Sequence, residues 1–259
     1  MAPATARRIP AATLDCDRHE LGRPLLAVFC YNHGHVIDEA LSRMPSDPSF
    51  DVLLCDDSST DDTAHRLRHS GLPMLQTERN VGIGASIKRA IAYARDHGYK
   101  VLVVMAGNGK DDPREVERLL RPIYDAGYEY VQGSRSLEGA SGDTAPLFRR
   151  MLVPVHAKLF SWLTGVPQTD ALNGFRAYRL SLFYDAPRID IWQDWLDRYE
   201  FETYLHYKVL TLGRKFIEVP ITKNYAHFKP GQQYSHIRPI VDWWSILRPL
   251  LLLKLRIRR

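Results

Sequence analysis

The chain is poor in everything that would staple or anchor a protein covalently. Its 259 residues hold three cysteines, Cys16, Cys30 and Cys55, too few and too unevenly spaced for a disulfide framework, with no C-x-x-C pair to hold zinc. No uncharged stretch approaches the about 20 residues needed to cross a bilayer. The first 24 residues carry Arg7, Arg8, Asp15, Asp17 and Glu20 with no apolar run, so a secretory signal is not expected. A cytoplasmic protein is the reading that follows. A broad face of one charge is missing too. From Arg238 to Arg259 there are six basic residues against Asp242 alone, whereas the rest of the chain holds 29 of each sign. Nucleic acid is therefore not an expected partner, and the positive charge is a local property of the tail. The Gly-rich phosphate loops also fail on inspection. Gly82-Ile83-Gly84 lacks the third glycine of a dinucleotide fingerprint, and Gly107 to Lys110 lacks the early glycine and the Ser/Thr of a P-loop.

What is present is an ordinary globular composition, 45% hydrophobic and 25% charged, long enough for one large α/β domain. Leu25 to Cys30 is an apolar run ending in the polar Tyr31-Asn32-His33-Gly34. Val36, Ile37, Ala40, Leu41 and Met44 then recur at helical spacing. The unit repeats. Phe50 to Cys55, Pro73 to Gln76 and Lys100 to Met105 read as strands, each followed by a polar turn and a helical pattern. In Asp112-Pro113-Arg114-Glu115 the Asp suits an N-cap and the Pro the first helical position. Strand and helix in alternation predict a mostly parallel sheet with helices on both faces. Further on, a strand is expected at Tyr130 to Gln132, a helix at Phe148 to Thr164 kinked at Pro154, a helix at Tyr199 to Leu212, a strand at Lys215 to Thr222 and a tail helix from Arg238. Leu137 to Ala145 and Tyr225 to Gln233 read as loops near a site. With no linker or internal repeat, the expected organisation is an extension over 1–24, a body over 25–236 and a basic amphipathic helix over 237–259.

In an open parallel sheet, ligands bind beyond the carboxyl ends of the strands. The turns expected there supply Tyr31, Asn32, Asp56, Asp57, Asn80, Asn108, Lys110 and Asp111. An aromatic ring and a carboxylate suit a nucleobase. Asp56 and Asp61 are better placed as turn or cap acids.

Cys30-Tyr31-Asn32 and Cys55-Asp56-Asp57-Ser58-Ser59-Thr60-Asp61, followed in order by Asn80-x-Gly82-x-Gly84, Asn108-Gly109-Lys110-Asp111-Asp112-Pro113, Gly133-Ser134-Arg135, Arg149-Arg150, Asp170-x-x-Asn173-Gly174-Phe175-Arg176 and Glu218-Val219-Pro220-Ile221, resemble family 2 glycosyltransferases. The likeness is greatest to the branch of dolichyl-phosphate mannose synthases and polyprenyl-phosphate glycosyltransferases. It implies a GT-A fold, an α/β architecture with a Rossmann-like nucleotide-binding half and, here, a C-terminal amphipathic helix. It implies an inverting transfer from a UDP- or GDP-sugar to a polyprenyl phosphate. Transfer to a hydroxyl of a small soluble acceptor, and a non-catalytic nucleotide-binding member, are the alternatives. The donor nucleotide is then expected on Tyr31, Asn32, Asp57, Asn80 and Lys110, and phosphate or acceptor on Arg135, Arg149 and Arg176. Asn108, Asp111 and Asp170 carry the expected catalytic roles, Asp170 either as a base or as a group that orients the acceptor or an arginine. Such families place an Asp-x-Asp at the fourth turn to hold Mg2+ or Mn2+, but here those positions are Ala106 and Asn108. A metal would fall to Asn108 and Asp111, or Lys110 would replace part of its charge. Asp112 is either a further ligand or only a helix cap. The tail, with Trp243 and Trp244, suits a membrane surface, the protein's own body or a second copy in a homodimer.

Overall fold

A computed structural model describes residues 20–140, 147–186, 188–225, 241–255 and 257. The first half follows the expected alternation: β1 (Leu25–Cys30), α1 (Ile37–Ser42), β2 (Asp51–Asp56), α2 (Thr63–His69), β3 (Met74–Gln76), α3 (Ile83–Asp96) and β4 (Val101–Ala106). A short 3-10 turn, Pro113–Glu115, leads into α4 (Val116–Ala126). Asp112 caps it, its carboxylate accepting from the Arg114 amide at 2.9 Å and pairing with the Arg114 guanidinium. Of its two expected roles, the cap is the one seen. The second half contains β5 (Tyr130–Ser134), α5 (Leu147–Thr164), β6 (Arg176–Arg179), α6 (Ser181–Tyr184), α7 (Glu200–Thr211), β7 (Phe216–Pro220) and α8 (Val241–Lys254).

The strands form one sheet in the order β3-β2-β1-β4-β6-β5-β7. Every adjacent pair is parallel except those made by β6, which runs against both β4 and β5. This mostly parallel, helix-flanked sheet is the predicted α/β architecture. Alternate residues of the central strands feed two cores, as a period of two requires. Leu25, Ala27 and Phe29 join Leu102 and Val104 on the α3 and α7 side, while Leu26, Val28 and Cys30 join Val103 and Met105 on the α1 and α4 side. Cys30 and Cys55 are buried free thiols. Burial pushes Cys55 up to about 12 and Cys30 well above the ordinary range, so both are inert packing residues.

The strand that the sequence reading missed, β6, determines what meets at the site. Because it is reversed, β5 and β7 regain the direction of β4, and the carboxyl ends of β1, β2, β3, β4, β5 and β7 lie at one edge. The amino end of β6 joins them, bringing the turn at Asp170 to Gly174 against the end of β5.

Candidate functional site

The turns after β1 and β2 are tied together by Asn32. Its backbone is left-handed (φ 54°), a conformation that asparagine tolerates. Its amide oxygen accepts from the Thr60 N–H at 2.8 Å, and its own N–H donates to Ser59 Oγ at 2.9 Å. Tyr31 is half-buried beside it. Asp56 accepts from the Ser59 amide and from Gln76 Nε2, and Asp61 from the Thr63 and Gly34 amides, the turn roles expected of both.

Asp57 is buried and organises the third turn. Its Oδ1 accepts from Thr77 Oγ1 at 3.0 Å and the Val81 N–H at 2.8 Å, and its Oδ2 from the Gly82 N–H at 2.9 Å. The Asn80 amide donates to the Asp57 carbonyl at 3.4 Å, and Asn80 itself is exposed. The glycines of this motif serve packing. Gly82 has φ 96°, and a Cβ on Gly84 would lie 2.0 Å from the Leu196 carbonyl oxygen. Only a glycine lets the 194–198 turn approach the start of α3 so closely.

After β4, Asn108 Oδ1 accepts from the Lys110 N–H at 3.2 Å. Lys110 is buried, its ammonium 5.4 Å from the centre of the Tyr225 ring. Asp111 is buried and forms an ion pair through Oδ1 with Lys223, itself buried, while its Oδ2 has no hydrogen-bond partner. The segment after β7 thus closes over this turn, and the Asn224 N–H donates to the Lys110 carbonyl at 2.9 Å. Sequence reasoning placed Tyr225 only at the start of a loop expected near a site, and missed Lys223. The signal was available, because Thr222 to Tyr225 is a polar stretch following an apolar strand, like the turns that were identified.

Tyr225 also links this turn to the next, its hydroxyl oxygen accepting from Arg135 Nη1 at 3.3 Å. Arg135 grips Asp170 with a two-point fork, Nε to Oδ2 at 2.7 Å and Nη2 to Oδ1 at 2.8 Å, and its backbone N–H adds a third bond at 3.1 Å. The Asp170 side chain is wholly buried. Its backbone is held from behind. Glu218 accepts from the Thr169 and Asp170 amides, each at 2.9 Å, and Gln132 donates to the Asp170 carbonyl. Burial raises the Glu218 carboxyl above its ordinary range, against the lowering effect of those bonds. Both Asp170 oxygens are thus engaged by one guanidinium, and its side chain is not exposed.

Arg176 corrects the expectation of a phosphate ligand. It lies in β6, 1% exposed, donating to the carbonyls of Asn173 at 2.6 Å and Glu202 at 3.2 Å. Its guanidinium holds the 171–173 turn from inside. Arg149 lies on α5, but its side chain is outside the described residues. His156 and His206 are buried in the core. Burial pushes His156 down to about 4 and His206 well below its ordinary range. His227 and most of the two expected loops fall outside the described residues.

The group implied for this edge is a divalent cation, and the side chains do not fit one. A hard cation needs several oxygen ligands. Asn108 offers an uncharged oxygen that already accepts the Lys110 N–H, Asp111 is paired through Oδ1 with a lysine so that only its Oδ2 is left, and Asp112 is paired with an arginine. Among the described residues no group of three or more His, Cys, Asp or Glu is placed to hold a metal.

Beside this edge, α5 and α8 carry an apolar surface. On α5 the exposed residues Met151 (73%), Val155 (61%), Leu159 and Trp162 (77%) fall on one stripe, and on α8 and just beyond it Trp244 (55%), Leu251, Leu255 and Ile257 are exposed. The two helices touch. Phe160 and Leu250 share a small core, and Lys254 donates to the Leu163 carbonyl at 3.3 Å. The opposite face of α8 packs on the body through Ile246, Leu250 and Leu253, with Arg248 bonded to Glu200 at 2.8 Å. Arg150, Lys158 and Lys254, all exposed, flank the apolar stripe. No described helix is long and apolar enough to cross a membrane.

Residues 26–185 match the profile of Glycosyl transferase family 2. Among curated proteins, the chain is similar to an undecaprenyl-phosphate mannosyltransferase from Micrococcus luteus, 28% identical over 77% of this chain and 83% of the relative. It is also similar to a polyprenol monophosphomannose synthase from Mycolicibacterium smegmatis, 29% identical over 77% of each. Among solved structures, glucosyl-3-phosphoglycerate synthase from Mycobacterium tuberculosis in complex with UDP shares the fold, with a TM-score of 0.66 at 18% identity over 97% of this chain and 85% of the other. The same enzyme has been solved with Mn2+, UDP-glucose and phosphoglyceric acid, again with a TM-score of 0.66.

Proposed function

The chain belongs to glycosyl transferase family 2 and is a glycosyltransferase of GT-A fold; from that premise we propose that it transfers a sugar, with inversion, from a nucleoside-diphosphate donor to a polyprenyl phosphate at a membrane surface. The nucleoside is assigned to the first three turns. A carboxylate offers about four acceptor positions, and Asp57 uses three on its own loop, leaving one for an N–H of the base. Tyr31 supplies a flat face beside it. The donor and acceptor phosphates fall to the next two turns, where Lys110 and Arg135 converge on Tyr225.

The observation that carries the reading is the Arg135–Asp170 fork. A hydroxyl acceptor needs a base to take its proton, but this carboxylate is spent on orienting a guanidinium. A phosphate acceptor arrives already ionised, and an oriented guanidinium is the group that receives it. That the phosphate comes on a lipid is supported by the apolar stripe of α5 and α8 with its flanking cations, which suits an interface with anionic headgroups, and by the names of the two curated relatives.

The lipid surface is tested by flotation. The protein is expected to rise with vesicles containing phosphatidylglycerol, and to rise less with neutral phosphatidylcholine. The double variant Trp162→Asp/Trp244→Asp, altered only at exposed positions, is expected to stay at the bottom while melting like the parent. Parent protein that stays at the bottom with both lipids would contradict the membrane reading.

A further inference from the structure

We propose that two lysines, Lys110 and Lys223, take the place of a divalent cation at the donor diphosphate. The inference rests on the donor site assigned above and goes beyond it. The fold relative carries Mn2+ together with its UDP-sugar. Here the β4 turn retains the task of neutralising a diphosphate but not the ligands for a dication. Ala106 has no donor atom and Asn108 no charge, and Asp112 is committed to Arg114. Two buried ammonium groups stand at the turn instead. Lys110 lies over Tyr225, and Lys223 is held by Asp111. The backbone bond from Asn224 to Lys110 locks the two segments together at 2.9 Å.

The charge balance agrees. Lys110, Lys223 and Arg43, whose guanidinium donates to the Gly109 carbonyl at 2.7 Å, outweigh the Asp111 carboxylate, while the Asp112–Arg114 pair at the turn and the Arg135–Asp170 pair next to it each cancel, so the turn is net positive. Such a turn attracts a diphosphate unaided and repels a dication, which would have to sit against Lys223 to reach Asp111. Lysine is well suited to the part, being a compact point charge that can follow phosphate oxygens as the leaving group departs. Asp111, on this account, positions Lys223 and is not a metal ligand.

Calorimetry with UDP and GDP, each in EDTA and in Mn2+, alongside UMP and GMP, reads this directly. One diphosphate should bind in EDTA, with an affinity changed by less than about threefold when Mn2+ is added, and more tightly than its monophosphate. Lys110→Met should weaken the diphosphate roughly tenfold to a hundredfold, the value of a lost charge-assisted bond, and leave the monophosphate unchanged. For Lys223 the paired variant Lys223→Met/Asp111→Asn avoids a stranded buried carboxylate and should have the same selective effect, with thermal melting confirming the fold. Binding that requires Mn2+, or lysine variants that keep the full preference for diphosphate, would overturn the inference while leaving the donor site standing. No binding of either diphosphate under any condition would overturn the donor site and the inference with it.

Discussion

Asp170→Ala is expected to abolish sugar transfer and to destabilise the protein by about 3 to 5 kcal/mol, the cost of stripping one partner from a buried ion pair. The side chain of Arg135 is only 5% exposed and that of Asp170 not at all, so the guanidinium left behind cannot recover its solvation from water. Asn in place of Asp does not rescue it, because an amide nitrogen would face a guanidinium nitrogen at one of the two bonds of 2.7 and 2.8 Å. Stability and activity should separate in a second variant. Arg135→Met/Asp170→Leu removes both charges and should recover most of the lost stability, since buried pairs are often replaced by apolar residues at no net cost, yet remain inactive because no guanidinium is left to meet the acceptor phosphate. Urea unfolding and transfer rates of the three variants check this. A double variant that regained both stability and transfer would show that the fork serves only the fold.

Asp57→Ala is the other substitution with a large expected effect. It orphans the Val81 and Gly82 amides, while the Thr77 hydroxyl keeps the Asp56 carbonyl as an acceptor at 3.4 Å, and at about 1 to 3 kcal/mol for each donor left unpaired, softened by relaxation of the loop, a loss of about 3 kcal/mol in stability is expected. The same change removes the acceptor assigned to the base, so affinity for the nucleoside diphosphate should fall by a further ~1 to 3 kcal/mol, roughly fivefold to 150-fold. Titration of the variant at a temperature where it is fully folded separates the two effects. Unchanged nucleotide affinity in the folded variant would remove Asp57 from the donor site and leave it as the organiser of the third turn.

The first half of the fold was legible because β1, β2 and β4 are apolar runs that end abruptly in polar turns, a contrast that survives without any knowledge of neighbours. β6 was not. Arg176-Ala177-Tyr178-Arg179 places an arginine at each end of a four-residue strand, and Arg176 is buried only because the Asn173 and Glu202 carbonyls receive it. That compensation is tertiary. The same blindness produced the misreading of Arg176 as a phosphate ligand, since a guanidinium that binds phosphate and one that binds backbone carbonyls look alike in a sequence. Asp57, Arg135 and Asp170 were visible as candidates, but their partners were not. That Asp170 faces Arg135 depends on the reversal of β6, and that Asp111 faces Lys223 depends on β7 lying three strands beyond β4 in the sheet, across 112 residues of sequence. The Asn80-x-Gly82-x-Gly84 motif was legible as a motif and silent as to purpose, because the carbonyl that excludes a side chain at Gly84 belongs to Leu196.

The most direct test of the central claim is to incubate the protein with radiolabelled UDP- and GDP-sugars and vesicles containing undecaprenyl phosphate, and to follow label into the organic phase on extraction. The account predicts that one donor class transfers its sugar into the organic phase, that transfer requires the lipid phosphate, and that it persists in EDTA. Label that stayed in the aqueous phase for every donor, or that moved only to soluble hydroxyl acceptors, would contradict it.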